Sequence, residues 1–343
     1  MLKTIQLGRQ SGLRVSRLCL GTMNFGEPGR GHQGDWTLGP DEARPLFKAA
    51  IDRGLFYFDT ADVYGLGATE RVVGQLLREL LPRDEYVIAT KISMPMGKGA
   101  NQGGLSRKHV IEGVNACLQR LGMDYIDQLV IHRHPHAVPG HVAAPIEETL
   151  LALHDLVRAG KILYLGASSM FAWQFAEMQL TAKMNGWTPF VSMQNHYNLV
   201  YREEEREMIP YCQSTGVAVM PWSPLARGIL TGSYRGGFES GSTQRSQGGD
   251  RLRTASLYRG DAVFPIAERV VEVAARHGKT PAQIALAWLL SKPFVTAPVV
   301  GISRVEQLDQ LVAATEITLP AEDIAYLEAL YRPVENLLSI GYS

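Results

Sequence analysis

The chain has 343 residues, of which 45% are apolar and 20% charged, an ordinary globular composition with enough length to bury a large core. Its 34 basic and 34 acidic residues balance, so neither a nucleic-acid surface nor a polybasic membrane patch is expected. No apolar run reaches the roughly 18–20 residues of a membrane helix, and the N-terminus lacks the pattern of a secretion signal. Three widely spaced cysteines, Cys19, Cys117 and Cys212, indicate reduced, buried thiols and predict a cytoplasmic protein.

Short apolar runs alternate with helical patterns from about residue 18 to residue 315. The runs predict strands over residues 18–22, 56–60, 86–92, 126–132, 162–168, 190–195, 217–222 and 296–301. Apolar positions at a spacing of three to four predict helices that include residues 41–53, 107–121, 146–158 and 266–277. Several of the helical stretches end in glycine, at Gly54, Gly122, Gly160, Gly186, Gly216 and Gly278.

This alternation predicts an α/β fold. Strands that each precede a helix form a parallel sheet with right-handed crossovers, and eight strands close a (β/α)8 TIM barrel. The alternative, a doubly wound sheet that binds dinucleotides, expects Gly-x-Gly-x-x-Gly directly after the first strand. Here that strand is followed by Gly21-Thr-Met-Asn-Phe-Gly26, and the nearest imitation, Gly65-Leu-Gly67, lacks the third glycine. We therefore predict a single barrel domain over residues 1–343.

Two segments fall outside the eight units. Residues 3–17 contain two short apolar stretches around residues 8–12, and they predict a β-hairpin that plugs the bottom of the barrel. Residues 226–262, after the seventh strand, form a long insertion rich in Gly, Ser and Arg. Its glycines at 236, 237, 241, 248 and 249 cannot pack a core, and insertions of this length are usually lids or disordered. We predict a mobile lid loop.

Polar side chains end three successive predicted strands. The second strand ends near Asp59, the third near Lys91 and the fourth at His132, and Tyr64 lies in the loop after the second strand. In a barrel, the C-terminal ends of the strands carry the reactive groups. Because Asp and Lys are costly to bury unless they are paired, we expect these two to pair with each other.

A tyrosine beside such a pair has a chemical use. A free phenol, with a pKa of about 10, is a poor proton donor near neutral pH, and a neighbouring ammonium lowers that pKa. If His132 orients a substrate oxygen, Tyr64 protonates the alkoxide as it forms, which is what carbonyl reduction requires. Alternatively, the Asp–Lys pair is structural, Tyr64 is a surface aromatic residue and His132 a core histidine. Four suitable groups on three adjacent strands favour the reactive site.

His132 also begins a histidine-rich segment that contains His134, His136 and His141. Alternate histidines at a strand end can hold a metal ion, which would suit a metal-dependent hydrolase. Pro135 breaks the strand, however, and no acidic ligand follows within the segment. We therefore favour a solvated loop and predict no metal.

The segment Phe58-Asp-Thr-Ala-Asp-Val-Tyr-Gly65 resembles the aldo-keto reductases, NADPH-dependent enzymes built on a (β/α)8 barrel. The similarity runs through nearly the whole chain, and residues 14–26, 122–132, 145–172 and 197–228 look especially like the enterobacterial YajO-like subgroup. The resemblance implies a catalytic tetrad of Asp59, Tyr64, Lys91 and His132, in which Tyr64 is the general acid for reduction.

The resemblance also implies where the cofactor binds. The implied residues are Gly21, Thr22, Met23, Asp59, Ser168, Ser169, Gln194, Trp222, Ser223, Pro224, Leu225, Ala226, Arg227, Gly301, Ser303, Arg304, Gln307 and Gln310. Ser168, Ser169 and Gln194 match positions that bind the carboxamide, although Ser169 replaces the more usual Asn or Arg. Trp222 is expected to stack on the nicotinamide ring, and the backbone amides that follow it are expected to hold the pyrophosphate.

The resemblance also implies a preference between NADPH and NADH, set by residues at the start of the eighth helix. Ser303 and Arg304 would meet a 2′-phosphate at the helix N-terminus, which favours NADPH over NADH. Gln307 would reach the adenosine, whereas Gln310 and Leu311 depart from the Glu-Asn of many relatives. We expect the predicted lid to fold over the pyrophosphate. Its candidate arginines for this contact are Arg235, Arg245, Arg251 and Arg253.

These features predict an NADPH-dependent reductase of aldehydes, with ketones left open; the alternative is an NADPH-binding regulatory or sensor protein with little turnover. Loops 24–40, 93–105 and 133–144 and the C-terminal tail are expected to set specificity. We expect some of their apolar residues to form a wall that suits aromatic or aliphatic aldehydes better than sugars, and the candidates are Phe25, Trp36, Met94, Met96 and Tyr342. The histidines and Arg133 leave a polar or anionic substrate open. We expect a small carbonyl compound as the partner, no nucleic acid, no membrane, and a monomer rather than an oligomer.

Overall fold

In the computed structural model, the strands of a parallel sheet alternate with helices along the chain. The structure describes residues 2–31, 33–138, 140, 142–242, 247 and 250–333. Within these residues the strands are β1 Thr4–Gln6, β2 Arg14–Ser16, β3 Cys19–Gly21, β4 Tyr57–Asp59, β5 Val87–Ile92, β6 Ile126–Ile131, β7 Ile162–Ser168, β8 Phe190–Gln194, β9 Ala218–Val219 and β10 Val299–Val300. The α-helices are α1 Pro40–Asp52, α2 Ala68–Leu80, α3 Arg107–Leu121, α4 Ile146–Arg158, α5 Ala172–Met184, α6 Met208–Thr215, α7 Asp250–Leu257, α8 Val263–His277, α9 Pro281–Leu290, α10 Val305–Ala314 and α11 Ala321–Glu328.

Each of the eight predicted strands has a counterpart, β3 to β10, in the parallel sheet. Strand β7 and helices α3 and α4 have the predicted bounds. Strands β9 and β10 are shorter than predicted, with two residues each, because Pro221 and Pro298 lack the N–H that a longer ladder needs. The six glycines predicted to end helices all have left-handed φ angles, from 59° to 82°.

The strand order shows that the sheet curls. The eight strands lie in the order β10-β3-β4-β5-β6-β7-β8-β9, which follows the chain without the reversal of a doubly wound sheet. Between the two end strands, the backbone N–H of Thr296 donates to Val219 O at 2.8 Å, and that of Val299 donates to Pro221 O at 2.8 Å. These bonds join the two ends of the curled sheet, an arrangement consistent with the predicted (β/α)8 barrel.

The N-terminal hairpin packs against the end of this sheet where the parallel strands begin, which we call the lower end. Strands β1 and β2 pair antiparallel, as predicted. Leu7 and Val15 are fully buried, in one cluster with residues of the parallel strands such as Tyr57 and Ala218. Gly8 has a φ of +72°, and a Cβ there would lie 2.9 Å from the backbone of Ala218. The hairpin therefore needs glycine at this position to reach the backbone beneath it.

The larger core lies between the helices and the outer face of the sheet. Phe25, one of the candidates for a substrate-binding wall, is fully buried in this core. Its ring centroid lies 5.3 Å from that of Phe47, which stacks on Phe58 at 5.5 Å. That expectation was wrong for Phe25, because the ring packs beneath α1 and is not accessible to a ligand.

The insertion after β9 contains secondary structure. It includes the 3₁₀ segments Ala226–Thr231 and Phe238–Ser240 as well as helix α7. Thr254 and Tyr258 are buried, so this helix packs on the rest of the molecule. These contacts could not be predicted from the sequence, because the many glycines of the insertion indicated a loop without packing. Arg245, Gly248 and Gly249 lie outside the described residues, and the lid itself stays a prediction.

Two further expectations concern thiols and membrane spans. Cys19, Cys117 and Cys212 are free and buried, as predicted. Over the ranges that the structure describes, none of the helices has the length and apolarity needed to cross a bilayer.

Gly74 in α2 provides a test of the helix packing. A Cβ at Gly74 would lie 2.2 Å from the carbonyl oxygen of Leu121, which ends α3. Gly74→Ala is expected to lower the free energy of unfolding by about 1–3 kcal/mol, because backbone must move to admit the methyl group. Urea denaturation would measure this change.

The matched control is Gly113→Ala, in the middle of α3. Its Cβ would be 3.5 Å from the nearest atom, Ile92 Cγ2, which is ordinary contact. Alanine should therefore raise the unfolding free energy there by up to about 1 kcal/mol through helix propensity. Equal effects of the two substitutions would contradict the close approach of α2 to α3.

Candidate active site

The predicted reactive side chains lie at one end of the parallel sheet. Asp59 ends β4, Lys91 is the second-last residue of β5, and His132 directly follows β6. Ser168 ends β7 and Gln194 ends β8. Because parallel strands place their carboxyl ends at the same edge, these residues from successive strands meet at one rim.

A buried ion pair forms the base of the site. Lys91 Nζ lies 2.5 Å from Asp59 Oδ2, and the two side chains are 0% and 3% exposed. Lys91 also donates to the backbone oxygen of Thr60 at 2.8 Å. The other carboxylate oxygen, Oδ1, accepts from Gln194 Nε2 at 2.9 Å. Both oxygens of Asp59 are thus satisfied, as a buried carboxylate requires.

The ammonium of Lys91 keeps its charge in this environment. Burial opposes the charged form, but the Asp59 carboxylate and the neighbouring Tyr64 outweigh it and raise the pKa of Lys91 above its ordinary value. A permanent positive charge therefore lies at the rim at neutral pH.

Tyr64 and His132 lie above this pair. Lys91 Nζ is 5.2 Å from the centroid of the Tyr64 ring. The Tyr64 and His132 rings have centroids 6.0 Å apart and planes 81° apart. The chain turns back after Tyr64 through Gly65, whose φ is +56° and whose added Cβ would lie 2.3 Å from Gln33 Oε1. The structure thus brings the four predicted catalytic side chains together.

His132 is neutral at physiological pH. Burial, with the positive charges of Arg133, Lys91 and Arg253, lowers the pKa of His132 well below its ordinary value. Its Nδ1 is buried without a hydrogen-bond partner among the residues described. A neutral imidazole in this place can donate one hydrogen bond to an incoming oxygen without changing the charge of the site.

The end of β3 lies beside the ion pair. Thr22 donates to the carbonyl oxygen of Asp59 through both its N–H and its hydroxyl, each at 2.9 Å. A Cβ at Gly21 would lie 2.8 Å from Val299 Cγ1, so this position needs glycine. The carbonyl oxygen of Met23 accepts from Gln33 Nε2 at 2.6 Å. These bonds fix the predicted cofactor segment 21–23 next to Asp59.

Strained backbone surrounds the ends of β7 and β9. Ser169, Ser223, Ala226 and Arg227 have φ angles of 48°, 53°, 49° and 54°, in the left-handed region that non-glycine residues avoid. Each such residue costs of the order of 1–3 kcal/mol, and such positions cluster at ligand-binding sites. Pro224 and Ala226 are buried and Leu225 is half-buried, so the predicted segment 223–227 forms part of the molecular body.

Trp222 is held from two sides at this end of the sheet. Its Nε1 donates to Ser169 Oγ at 2.9 Å. One ring face stacks on His196, with centroids 4.0 Å apart and planes at 7°, and His196 stacks in turn on Tyr201 at 4.2 Å. The sequence reasoning missed His196 and Tyr201. Their one signal was their place in the segment that follows the sixth strand.

Comparison with known proteins agrees with this geometry. The model of the aldo/keto reductase family matches residues 17–332. The chain belongs to the aldo/keto reductase family. It is 44% identical to a putative aryl-alcohol dehydrogenase of Schizosaccharomyces pombe, with 94% of each chain covered. It is 42% identical to the versiconal hemiacetal acetate reductase of Aspergillus parasiticus, over 94% of this chain and 95% of the relative. A putative aryl-alcohol dehydrogenase of Saccharomyces cerevisiae is 36% identical, over 97% and 98% of the two chains.

Membership of the aldo/keto reductase family makes the chain an oxidoreductase of carbonyl compounds. Family members use nicotinamide cofactors, generally NADP(H). The relatives named above are fungal aryl-alcohol dehydrogenase-like proteins and reductases. The finer likeness to the enterobacterial YajO-like subgroup stays a prediction.

In this aldo/keto reductase, the N-terminus of α10 is exposed. Gln307 Oε1 accepts from the N–H groups of Ser303 at 2.8 Å and Arg304 at 3.2 Å, so its side chain caps the helix. Arg304 is exposed and forms no ion pair within the described part of the chain, and Gly301, just before the helix, is exposed as well. The guanidinium therefore lies at the N-terminus of a helix, where the helix dipole favours an anion.

Gln310 and Leu311, which we expected to depart from the family pattern, both face the protein. Gln310 Oε1 accepts from Thr280 Oγ1 at 3.5 Å, a long contact with the start of α9. Leu311 is 2% exposed and belongs to the core. An adenine contact at Leu311 would require the side chain to leave that core.

The arginines of the insertion have different surroundings. Arg227 forms a buried ion pair with Asp250 and donates to Thr254 Oγ1 at 3.2 Å. Arg251 pairs with Glu239, and Arg235 and Arg253 are exposed. The ion pair of Arg227 ties the segment after β9 to helix α7.

The histidine-rich segment lies beyond the end of β6, in a loop that contains the 3₁₀ turn Pro135–Ala137. His134 is 1% exposed, whereas His136 is exposed, and their ring centroids are 5.1 Å apart. Across the described ranges, His, Cys, Asp and Glu side chains form no group of three that could hold a metal ion. His141 lies outside those ranges.

His134 yields a prediction on stability and pH. Burial, with the nearby His136, lowers the pKa of His134 from 6.5 to about 4. Below pH 6.5 the unfolded chain therefore binds a proton that the folded chain refuses, and folding loses stability as pH falls. The loss approaches about 1.4 kcal/mol per pH unit between the two pKa values.

His134→Asn isolates this contribution. The asparagine keeps a hydrogen-bond acceptor for the His136 N–H, which bonds His134 Nδ1 at 3.3 Å, and does not titrate. Urea unfolding at pH 7 and at pH 4.5 should show that the wild type loses more stability than the variant. Parallel pH profiles would mean that His134 titrates normally in the folded protein.

Proposed function

We propose that this aldo/keto reductase reduces aldehydes to alcohols with NADPH and that Tyr64 supplies the proton. The observation that carries the proposal is the buried Lys91–Asp59 pair, 2.5 Å long, beneath Tyr64 and opposite a neutral His132. Carbonyl reduction needs a hydride on carbon and a proton on oxygen. The four side chains form a corner that binds the oxygen and delivers that proton.

The protein's part of the reaction concerns the carbonyl oxygen. The His132 imidazole donates a hydrogen bond that places this oxygen near the Tyr64 hydroxyl. The bound cofactor supplies the hydride. As negative charge develops on the oxygen, Tyr64 gives up its proton, and the Lys91 ammonium stabilises the phenolate that remains. Asp59 holds the ammonium in place, so the positive charge stays below the ring.

Several features support a nicotinamide cofactor at this rim. Trp222 is half-buried, with one face covered by His196, and offers its other face to a flat ring. The backbone after it is strained at Ser223, Ala226 and Arg227 in the manner of ligand-binding loops. The exposed Arg304 at the start of α10 supports NADPH over NADH, because it can pair with a 2′-phosphate.

We propose aromatic aldehydes as the substrate class to test first. Two of the relatives are named as aryl-alcohol dehydrogenases. Trp36, Met94 and Met96, on two of the loops predicted to set specificity, are partly exposed and apolar. Tyr342 lies outside the described residues. The proposal keeps a small carbonyl compound as the partner of a cytoplasmic monomer.

Tyr64 provides a test of the proposed proton transfer. Tyr64→Phe removes the proton donor and should lower kcat for an aromatic aldehyde by about 100- to 10,000-fold, while NADPH still binds. NADPH oxidation at 340 nm and a fluorescence titration with NADPH would measure the two quantities. A variant that keeps most of its activity would overturn the mechanism.

Tyr86→Phe is the matched control. Tyr86 is 3% exposed, its hydroxyl lies 3.7 Å from Met123 Sδ, and it is far from the rim. Its loss should leave turnover unchanged. Tight NADPH binding by the wild type without turnover of a broad aldehyde panel would favour the sensor alternative.

Arg304 provides a test of the proposed cofactor preference. Arg304→Ala should raise KM for NADPH about tenfold or more and leave KM for NADH unchanged, because NADH has no 2′-phosphate to lose a charged partner. The same assay with both cofactors measures the split. An equal rise for both cofactors would mean that Arg304 acts on the fold of α10 rather than on the phosphate.

A further inference from the structure

A stacked column of three rings lies behind the end of β9. The rings belong to Tyr201, His196 and Trp222 in that order, with centroids 4.2 and 4.0 Å apart and interplanar angles of 12° and 7°. Tyr201 and His196 are 2% and 4% exposed, whereas Trp222 is half-buried at the outer end. The column therefore presents one indole face to the rim and supports the opposite face with imidazole.

The imidazole is fixed at its edge by the insertion. His196 Nε2 lies 2.8 Å from the hydroxyl of Tyr258, the residue that follows α7. Asn198 Nδ2 donates to the same hydroxyl at 3.2 Å and to the carbonyl oxygen of Ser223 at 2.9 Å. One amide thus connects the insertion, the column and the strained backbone directly after Trp222.

The indole itself has little freedom. Its Nε1 donates to Ser169 Oγ at 2.9 Å, and the backbone N–H of Trp222 donates to Asn195 O at 2.7 Å. Burial, with the positive charges of Arg227 and Arg133, lowers the pKa of His196 to about 3, so a neutral imidazole stacks on the indole over the working pH range. The stack is consequently a contact between two flat, uncharged rings.

We propose that His196 is a positioning residue, which holds the Trp222 indole ready for the nicotinamide ring and is itself held by Tyr258 of the insertion. This inference rests on the proposed function, because it assigns the free indole face to the cofactor. An indole fixed in advance loses no side-chain freedom when the ring binds. Immobilising one such side chain costs enough to weaken affinity by about three- to tenfold.

The test separates the two ends of the cofactor. His196→Ala removes the supporting ring and should weaken NADPH binding about tenfold. It should leave the affinity for adenosine 2′,5′-bisphosphate unchanged, because that fragment has no nicotinamide. Fluorescence titrations with both ligands give the two dissociation constants. Equal weakening of both ligands, or of neither, would overturn the inference.

Further variants distinguish loss of the contacts of His196 from a general loss of structure. His196→Phe keeps a flat ring but loses the bond to Tyr258, and Tyr258→Phe removes the same bond from the other side. Each should weaken NADPH binding about threefold, and the double variant should be no worse than either single one. Additive effects in the double variant would contradict the coupling between α7 and the column.

His154→Ala is the matched control. His154 is a half-buried histidine in α4 whose Nδ1 lies 3.0 Å from Thr188 Oγ1, away from the rim, and its loss should leave both dissociation constants unchanged. If the wild type binds the bisphosphate fragment and NADPH equally well, the indole gives no affinity and the inference fails while the proposed function stands. If the wild type binds neither, the proposed function itself fails.

Discussion

The buried ion pair between Lys91 and Asp59 is the constraint on which the rest of the site depends. Taking two charges out of water costs several kcal/mol per ion, and the attraction repays this only if the remaining donors and acceptors are satisfied. Here Thr60 O and Gln194 Nε2 complete the set. Gln194 belongs to β8 and Asp59 to β4, and three strands separate them in the sheet. Their hydrogen bond therefore crosses the interior and requires the sheet to curl.

Contacts between elements distant in sequence also explain where backbone strain is tolerated. The left-handed residues after β9 are expensive, yet two of the three, Ser223 and Arg227, are anchored by contacts from other elements. The carbonyl oxygen of Ser223 accepts from Asn198, and the side chain of Arg227 is paired with Asp250 in α7. Because these anchors come from the segment after β8 and from the insertion, the backbone at the rim is shaped by elements distant in sequence. The insertion is thereby part of the site's construction.

The sequence allowed the strands and the place of the reactive side chains to be predicted, for a physical reason. Strands buried on both faces are continuous apolar runs, and parallel strands put their ends at one edge, so Asp59, Lys91 and His132 had to meet. The column of Tyr201, His196 and Trp222 could not be predicted in this way. Its partner Tyr258 is 62 residues from His196, and no periodic pattern links the two.

Other differences arise where one residue type has two uses. Phe25 lies in a loop beside the rim, where an apolar ring suits a binding wall, but the larger gain comes from burial against Phe47. Gln194 was assigned to a cofactor carboxamide by resemblance, and its amide donates to Asp59 in the structure. An amide has further hydrogen-bonding capacity, so this contact leaves its oxygen for a ligand.

The two ends of the sheet serve different purposes. At the lower end, Leu7 and Val15 of the hairpin pack against Tyr57, whose hydroxyl bonds Gln128, and Gln128 Nε2 donates to Ser192 Oγ at 2.5 Å. Tyr57, Gln128 and Ser192 are thus paired with one another. At the rim, His132 Nδ1, Thr60 Oγ1 and Asn195 Oδ1 are buried and without partners in the described part of the chain. Unpaired buried polar atoms are costly, so a ligand bound at the rim would lower this cost by supplying the hydrogen bonds that these three atoms lack.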